Sequence, residues 1–510
     1  MTKNSGINPC FYIFGFFLFI FSLQANAQDS PDLIDRVNGL FDTVNGFWAS
    51  ILFWDNHPLK LPVILLVMTG GGLFFTLRYG FVNIRLFAHA IDVIRGKYDR
   101  KEDAGEISHF QALTSALSAT VGLGNIAGVA VAISLGGPGA VLWLWLVAFF
   151  GMSMKFSSCT FAQMYRIVHK DGQVLGGPMV YLEAAFKHRW PSFAWIDKMF
   201  AVIFAVFTIG ASIGAGNIFQ VNQTYELLSA EFTFLKSWSW TSGIVMSVAI
   251  GAVIIGGIKR IGHVTSKLVP FMCAFYCISC LLIIFNHIHL VPAVFENIFV
   301  QAFKPDAMWA GGFIGVLTQG VRRASFSNEA GMGSASIAHA AAKTDKPVRE
   351  GVVAMVGPFI DTHIVCTMTA LAILTTGSYL DPALAGKGAA ITAAAFNTLG
   401  SFMPFLLTIA ATIFAYSTAI SWSYYGEKGT EYLFGRDAIK WYRIIYVLAA
   451  ILGPVVTLGK VIEFSDLMLL SMAFPNIIGM MLLSGYVKSQ LQDYLSSFKS
   501  GAFKKTTEFN

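Results

Sequence analysis

The sequence predicts an all-α polytopic membrane protein built as two inverted halves of five helices behind one extra leading helix. Three observations predict it. Apolar residues make up 55% of the 510-residue chain and charged residues 13%, about half the charged share of a soluble domain. Eleven apolar segments have helix length. Two of them, five segments apart, are interrupted by glycines and polar residues.

A mean hydropathy of +0.62 leaves too little polar surface to face water, which excludes disorder, collagen and a disulfide scaffold. The net charge of +6 is the excess that membrane proteins carry on cytoplasmic loops and does not point to a nucleic acid. Cys273, Cys277 and Cys280 share one apolar run, and Cys159 and Cys366 lie in others. They read as small core residues.

The chain opens like a secretory signal. Lys3 precedes a short apolar run, Phe11 to Leu23, and Ala25-Asn26-Ala27 matches the small-x-small cleavage pattern. Cleavage would make 1–27 a signal peptide and leave Gln28 first; the alternative is an uncleaved anchor. The next stretch, 28–60, reads as a periplasmic interfacial helix with Leu33, Val37, Leu40, Phe41, Val44, Phe47 and Trp48 on one side. A transporter domain follows over 61–490, then a cytoplasmic tail over 491–510.

The long segments lie near 61–80, 108–134, 139–166, 197–224, 239–257, 267–288, 307–338, 350–376, 400–426, 440–459 and 464–488. In lipid they must be helices, because nothing else there bonds open backbone groups. One set of connections holds Arg85, Arg95, Lys97, Arg100, Lys101; Arg166, Lys170, Lys187, Arg189; Lys259, Arg260; Lys343, Lys346, Arg349; Lys428, Arg436, Lys440; and the tail Lys499, Lys504 and Lys505. The alternate set holds little beyond Arg36, Lys60, Lys236, Lys304, Lys387 and Lys460. The positive-inside rule makes the first set cytoplasmic, the mature N-terminus external and the C-terminus internal. The membrane is then the inner membrane of a bacterium.

The first interrupted segment reads Ser118-Ala119-Thr120-Val121-Gly122-Leu123-Gly124-Asn125-Ile126-Ala127-Gly128. The second runs from Thr318-Gln319-Gly320 through Arg322 and Arg323 to Ser327-Asn328-Glu329 and Ser334. Interrupted helices at matching places in two halves point to a midplane site in a secondary transporter. Half-helix N-termini favour an anionic group and freed carbonyls a small cation. An amino acid with Na⁺ supplies both. The alternative for Gly124 and Gly128 is close helix packing.

On Gly124-Asn125-Ile126-Ala127-Gly128-Val129-Ala130, Gly136-Gly137-Pro138-Gly139-Ala140, Gly176-Gly177-Pro178-Met179, Gly216-Asn217, Gly257-Ile258-Lys259-Arg260-Ile261-Gly262, Phe326 to Ala335, and Ser421-Trp422-Ser423-Tyr424-Tyr425-Gly426-Glu427, the chain resembles the alanine or glycine:cation symporters. The resemblance covers residues 35 to 490. It implies a leucine-transporter-type fold and Na⁺-coupled uptake of a small neutral amino acid, with no cofactor beyond Na⁺ as coupling ion. It implies that Gly122, Leu123, Gly124 and Asn125 meet the substrate carboxylate, that Gln220 faces the substrate, and that Trp422 walls the side-chain pocket. Gln319, Gly320, Ser327 and Asn328, at the second break, complete the expected substrate site. The expected sodium site uses carbonyls near Ser118 and Val121 with hydroxyls of Ser417, Thr418 or Ser421. Two residues depart from the family pattern: Leu123, where members carry threonine, and Ser158 beside Ser157, where members often carry an acid.

An intramembrane acid is costly unless paired or facing water, so Glu329 reads either as a cation or gating residue or as a buried ion-pair partner of Arg322, Arg323 or Lys155, or it lies at a cytoplasmic end. The alternative for the two arginines is to snorkel toward the cytoplasm. Asp361 with Thr362 reads as a structural hydrogen-bond partner, and His339 and His363 as satisfied histidines. A channel would need repeated polar rings, and an enzyme a metal cluster or nucleophile elbow. A proton-driven symporter of the same fold is the nearest rival.

Overall fold

The structure is a computed structural model that describes residues 31–55, 62–100, 102–189, 194–303, 312–455 and 459–503. The expected signal peptide, Lys60 and Lys304 lie outside the described residues. Apart from one two-stranded hairpin, Ile167–Val168 with Val174–Leu175, the described chain is helical.

The helices run as α1 (Pro31–Leu52), α2 (Val63–Arg78), α3 (Phe87–Ile94), α4 (His109–Thr120), α5 (Val129–Gly136), α6 (Ala140–Tyr165), α7 (Pro178–Arg189), α8 (Ala194–Ile213), α9 (Phe219–Glu231), α10 (Ser239–Ile254) and α11 (Gly257–Asn286). They continue as α12 (Val291–Phe303), α13 (Gly312–Asn328), α14 (Ser334–Ala340), α15 (Pro347–Ala354), α16 (Thr367–Thr376), α17 (Gly388–Asn397), α18 (Met403–Phe434), α19 (Ala438–Leu452), α20 (Gly459–Ser471) and α21 (Ala473–Lys499).

Among the described residues, six helical stretches are long and apolar enough to cross a membrane: Ala140–Tyr165, Trp195–Glu231, Gly257–Asn286, Pro347–Thr376, Met403–Phe434 and Glu463–Lys499. The pair His109–Thr120 and Gly124–Gly136, bent by 55°, makes a seventh. Val63–Arg78 and Ser239–Ile254 are shorter apolar helices. The chain is therefore a multi-pass membrane protein.

α1 occupies the stretch read as interfacial. Its Trp48 indole donates to the Ser471 hydroxyl at 2.9 Å. Phe47 and Ile51, 71% and 52% exposed, face away from the protein, while Trp48, expected on the same side as Phe47, turns inward.

α4 begins at a reciprocal cap. The Ser108 hydroxyl accepts from Gln111 N–H, and the Gln111 side chain accepts from Ser108 N–H at 3.1 Å, which satisfies two of the donors a helix start leaves open. It ends at Val121, whose backbone turns extended (ψ 93°). A wide π-type turn, Gly124–Gly128, then leads into α5. The second break lies between α13 and α14, where Glu329, Gly331 and Gly333 take left-handed backbone (φ 52°, 91° and 87°). Only the two glycines do so without a Cβ penalty.

That break falls later than the polar stretch suggests. Thr318, Gln319 and Gly320 continue α13 as regular helix. A Cβ on Gly320 would stand 2.6 Å from the Ala140 carbonyl oxygen, so this glycine lets α13 cross α6 closely, as small residues do in membranes.

Candidate functional site

The two breaks adjoin. A Cβ built on Gly124 would lie 4.0 Å from the Phe326 carbonyl oxygen and the Ser327 Cα. Beside them opens a cavity of about 200 Å³, lined among others by Gly122, Leu123, Gly124, Gln220, Glu329 and Trp422. Drug-sized ligands occupy roughly 300–1,000 Å³, so this volume suits a small solute.

The far wall is held by close approach. A Cβ on Gly216 would stand 2.5 Å from Trp422 Cβ, and the Ser212 hydroxyl donates to the Trp422 carbonyl at 2.6 Å. Gly216 belongs to a second π-type turn, Gly214–Ile218. Just beyond it Gln220 donates to the Ala215 carbonyl at 3.0 Å. Both π-type turns abut the cavity, which is where such turns recur in functional sites.

Of the expected cation residues, Ser118, Ser417 and Thr418 meet where α4 ends. The Thr418 hydroxyl donates to the Ser118 carbonyl at 3.1 Å, and the Ser118 hydroxyl to the Ser417 carbonyl at 2.6 Å. A Cβ on Gly122 would stand 2.9 Å from Thr418 Oγ1. Ser421 Oγ, one turn further along α18, is buried with no hydrogen-bond partner among the described residues. Val121 supplies the extended carbonyl that follows α4. Carbonyl and hydroxyl oxygens such as these are the ligand type that hard cations take.

Behind the breaks lies a network that the sequence alone did not assemble. Asp361 sits in a third π-type turn, Phe359–Cys366, and is fully buried. It accepts from Asn125 Nδ2 at 2.7 Å, from Ser327 Oγ at 2.6 Å and from Thr362 Oγ1 at 2.8 Å. Asn125 also accepts from Gly122 N–H at 2.9 Å, while Asn328 donates to Thr362 at 3.2 Å and accepts from Ala330 N–H at 2.9 Å. One carboxylate thus ties both breaks to the α15–α16 segment. An aspartate in an apolar segment was the signal that pointed to it.

Among the predicted site residues, Gly122, Leu123, Gly124, Gln220, Thr418 and Trp422 line the cavity. Asn125, Ser327 and Asn328 stand behind it as braces. Gln319 and Gly320 are not brought to it: Gln319 packs against Gly136, so closely that a Cβ on that glycine would stand 3.0 Å from Gln319 Cβ. Ser158, the departure from the family pattern, donates to the Lys155 carbonyl at 3.2 Å, away from the cavity lining.

Glu329 lines the cavity and accepts from the Ser334 hydroxyl at 2.5 Å; no Lys or Arg ion pair to it within 4 Å occurs among the described residues. Arg323 lines the cavity with Asp466 of α20. Arg322 lies over the Phe53 ring, 5.1 Å from its centre, near the end of α1. Arg322 therefore stands beside the end of α1, and Arg323 faces the cavity. His339 bonds Glu350 at 2.5 Å, as a satisfied histidine should.

Comparison with known proteins gives a consistent result. The solved structure of MhsT in complex with L-phenylalanine matches with a TM-score of 0.51 at 13% identity, over 76% of this chain and 99% of that one, which speaks for the fold. The chain is 42% identical over 457 residues to the sodium/alanine symporter AgcS of Methanococcus maripaludis, covering 89% of this chain and 96% of that one. It is 34% identical over 456 residues to the probable sodium/glutamine symporter GlnT of Bacillus subtilis, covering 89% and 91%. It is 34% identical over 463 residues to the putative sodium/proton-dependent alanine carrier protein YrbD of the same species, covering 88% and 92%. The profile of the sodium:alanine symporter family matches residues 45–508. The chain belongs to the sodium:alanine symporter family.

Proposed function

We propose that the protein couples inward movement of Na⁺ to uptake of a small neutral amino acid, alanine or glycine, by alternating access. The supporting observation is the cavity of about 200 Å³ at two adjoining helix breaks, lined by Thr418, whose hydroxyl bonds the Ser118 carbonyl. Glycine at 122 and 124 lets a substrate carboxylate approach backbone N–H groups. Trp422 opposite them leaves room for little more than a methyl group.

The reading includes the architecture. Eleven spans, two inverted sets of five behind α2, place each broken helix first in its half. The N-terminus is external after signal cleavage and the C-terminus cytoplasmic, in the inner membrane of a bacterium. A reporter fused after Asn510 reads cytoplasmic on this topology; an external reading overturns it.

A second reading, proton coupling, draws on Glu329, a carboxylate on the cavity wall able to exchange a proton. Uptake of labelled alanine into vesicles decides between them. An imposed Na⁺ gradient drives it on the first reading, and an imposed proton gradient without Na⁺ drives it on the second.

A further inference from the structure

The ends of α4 and α14 remote from the cavity meet at one buried carboxylate. Glu350, near the start of α15, is fully buried, and His109 and His339 beside it are each 1% exposed. His109, the first residue of α4, sets Nδ1 against one Glu350 oxygen. His339, in the last turn of α14, sets Nδ1 2.5 Å from the other. The backbones join at the same place. Glu106 and Ile107 donate to the Ala341 carbonyl at 2.7 and 3.2 Å, and Lys343 donates to the Ile107 carbonyl at 2.8 Å. Arg166, just past α6, donates to the carbonyls of Ala104, Ala340, Ala342 and Thr344 across this seam.

A buried carboxylate is tolerated only while its oxygens accept hydrogen bonds. Here the two oxygens take imidazoles from the two different broken helices. If either half-helix swings away, one buried Glu350 oxygen is left without its donor, so the pair resists parting as a unit. In a transporter with a midplane site, access changes largely by rocking or gating of one repeat against the other, and α4 and α14 belong to different repeats on the reading above. We infer that Glu350, with His109 and His339 as its two arms, is the latch that holds the cytoplasmic end of the transport path shut. The inference rests on the transport reading and orientation proposed above.

The test uses the full chain in inside-out vesicles, with Ala119→Cys placing a thiol in the cavity wall. An impermeant maleimide is added on the cytoplasmic face, and labelling is read against the chain that keeps Ala119. His109→Leu and His339→Leu each remove one arm and speed labelling roughly tenfold, the worth of one hydrogen bond to a charged group. His339→Gln, whose amide can donate to the carboxylate, returns the rate toward the parent. Unchanged labelling in either leucine variant, inserted at parental amount, overturns the latch. So does a rise that glutamine fails to reverse, since that marks lost packing. Na⁺-driven alanine uptake by the parent is measured in right-side-out vesicles; its absence sinks the coupling and leaves the latch result standing.

Discussion

Gly122 lies directly under Thr418: a Cβ on the glycine would stand 2.9 Å from the threonine hydroxyl oxygen. That hydroxyl is committed to the Ser118 and Phe414 carbonyls at 3.1 and 3.0 Å, so it cannot rotate away without breaking both bonds. Gly124, two residues on, has nothing nearer than 4.0 Å. The two glycines therefore answer to different parts of the site.

Gly122→Ala should raise the Na⁺ concentration for half-maximal uptake, by about tenfold if one hydrogen bond is lost, with the affinity for alanine less affected. Gly124→Ala should do the reverse, because its methyl enters the space between the breaks. Saturation curves for Na⁺ and for labelled alanine check both. Equal effects of the two variants on both curves would remove the distinction.

Thr418→Ala with Ser421→Ala deletes two oxygens from the proposed cation site. A hard cation needs oxygen ligands, so the Na⁺ requirement should rise far more than the amount of protein in the membrane falls. Unchanged Na⁺ dependence in the folded double variant moves the site elsewhere.

Asp361→Asn replaces a carboxylate that accepts from Asn125, Ser327 and Thr362. The new amide turns a donor toward one of those donors. Such a mismatch costs about 1–3 kcal/mol, and the purified variant should melt several degrees lower. Retention of the parental Tm would show that the network does not brace the breaks.

Most of the fold was legible because lipid forces apolar segments into helices, and the two breaks announced themselves through Gly122 and Gly124 and through the run ending at Glu329. The placement of the second break was not. Gln319 and Gly320 look as pliable as Gly122 and Gly124, yet only backbone forced left-handed, at Glu329, Gly331 and Gly333, interrupts the helix. Asp361 is a single acid in an apolar run, and Glu350 follows the charged stretch from Lys343 to Arg349. Their partners come from helices distant in sequence, so no spacing rule could assemble the Asn125–Ser327–Asp361 or His109–Glu350–His339 groups. Arg322 and Arg323 were read by composition, and their neighbours Phe53 and Asp466 come from opposite ends of the chain.

His89 gives a pH-dependent outcome. It sits on the surface helix α3, bonded to the Tyr494 hydroxyl at 2.7 Å, and burial pulls its pKa from 6.5 to about 4. The unfolded chain then binds this proton more readily than the folded one, so stability falls as pH drops from about 6.5 toward 4. His89→Gln removes that contribution. The Tm difference between pH 7 and pH 5 should shrink in the variant, and an unchanged difference would show that His89 does not contribute to it.

Trp422 offers two variants of opposite sign. Its indole closes the cavity from α18, while Gly216 backs it so closely that a Cβ there would stand 2.5 Å from Trp422 Cβ and Cγ. Trp422→Ala frees the volume of an indole and should admit longer amino acids such as leucine or methionine. It should also weaken alanine binding, because the wall that excluded water is gone. Gly216→Ala leaves the indole intact but pushes it from behind. Since Trp422 is 2% exposed and packed on its other sides, the free direction is into the cavity, and the size limit should tighten until glycine competes better than alanine. Competition of labelled alanine uptake by amino acids of increasing size measures both shifts. If the two variants move the size limit the same way, or neither moves it while both are well expressed, Trp422 is not the wall that sets it.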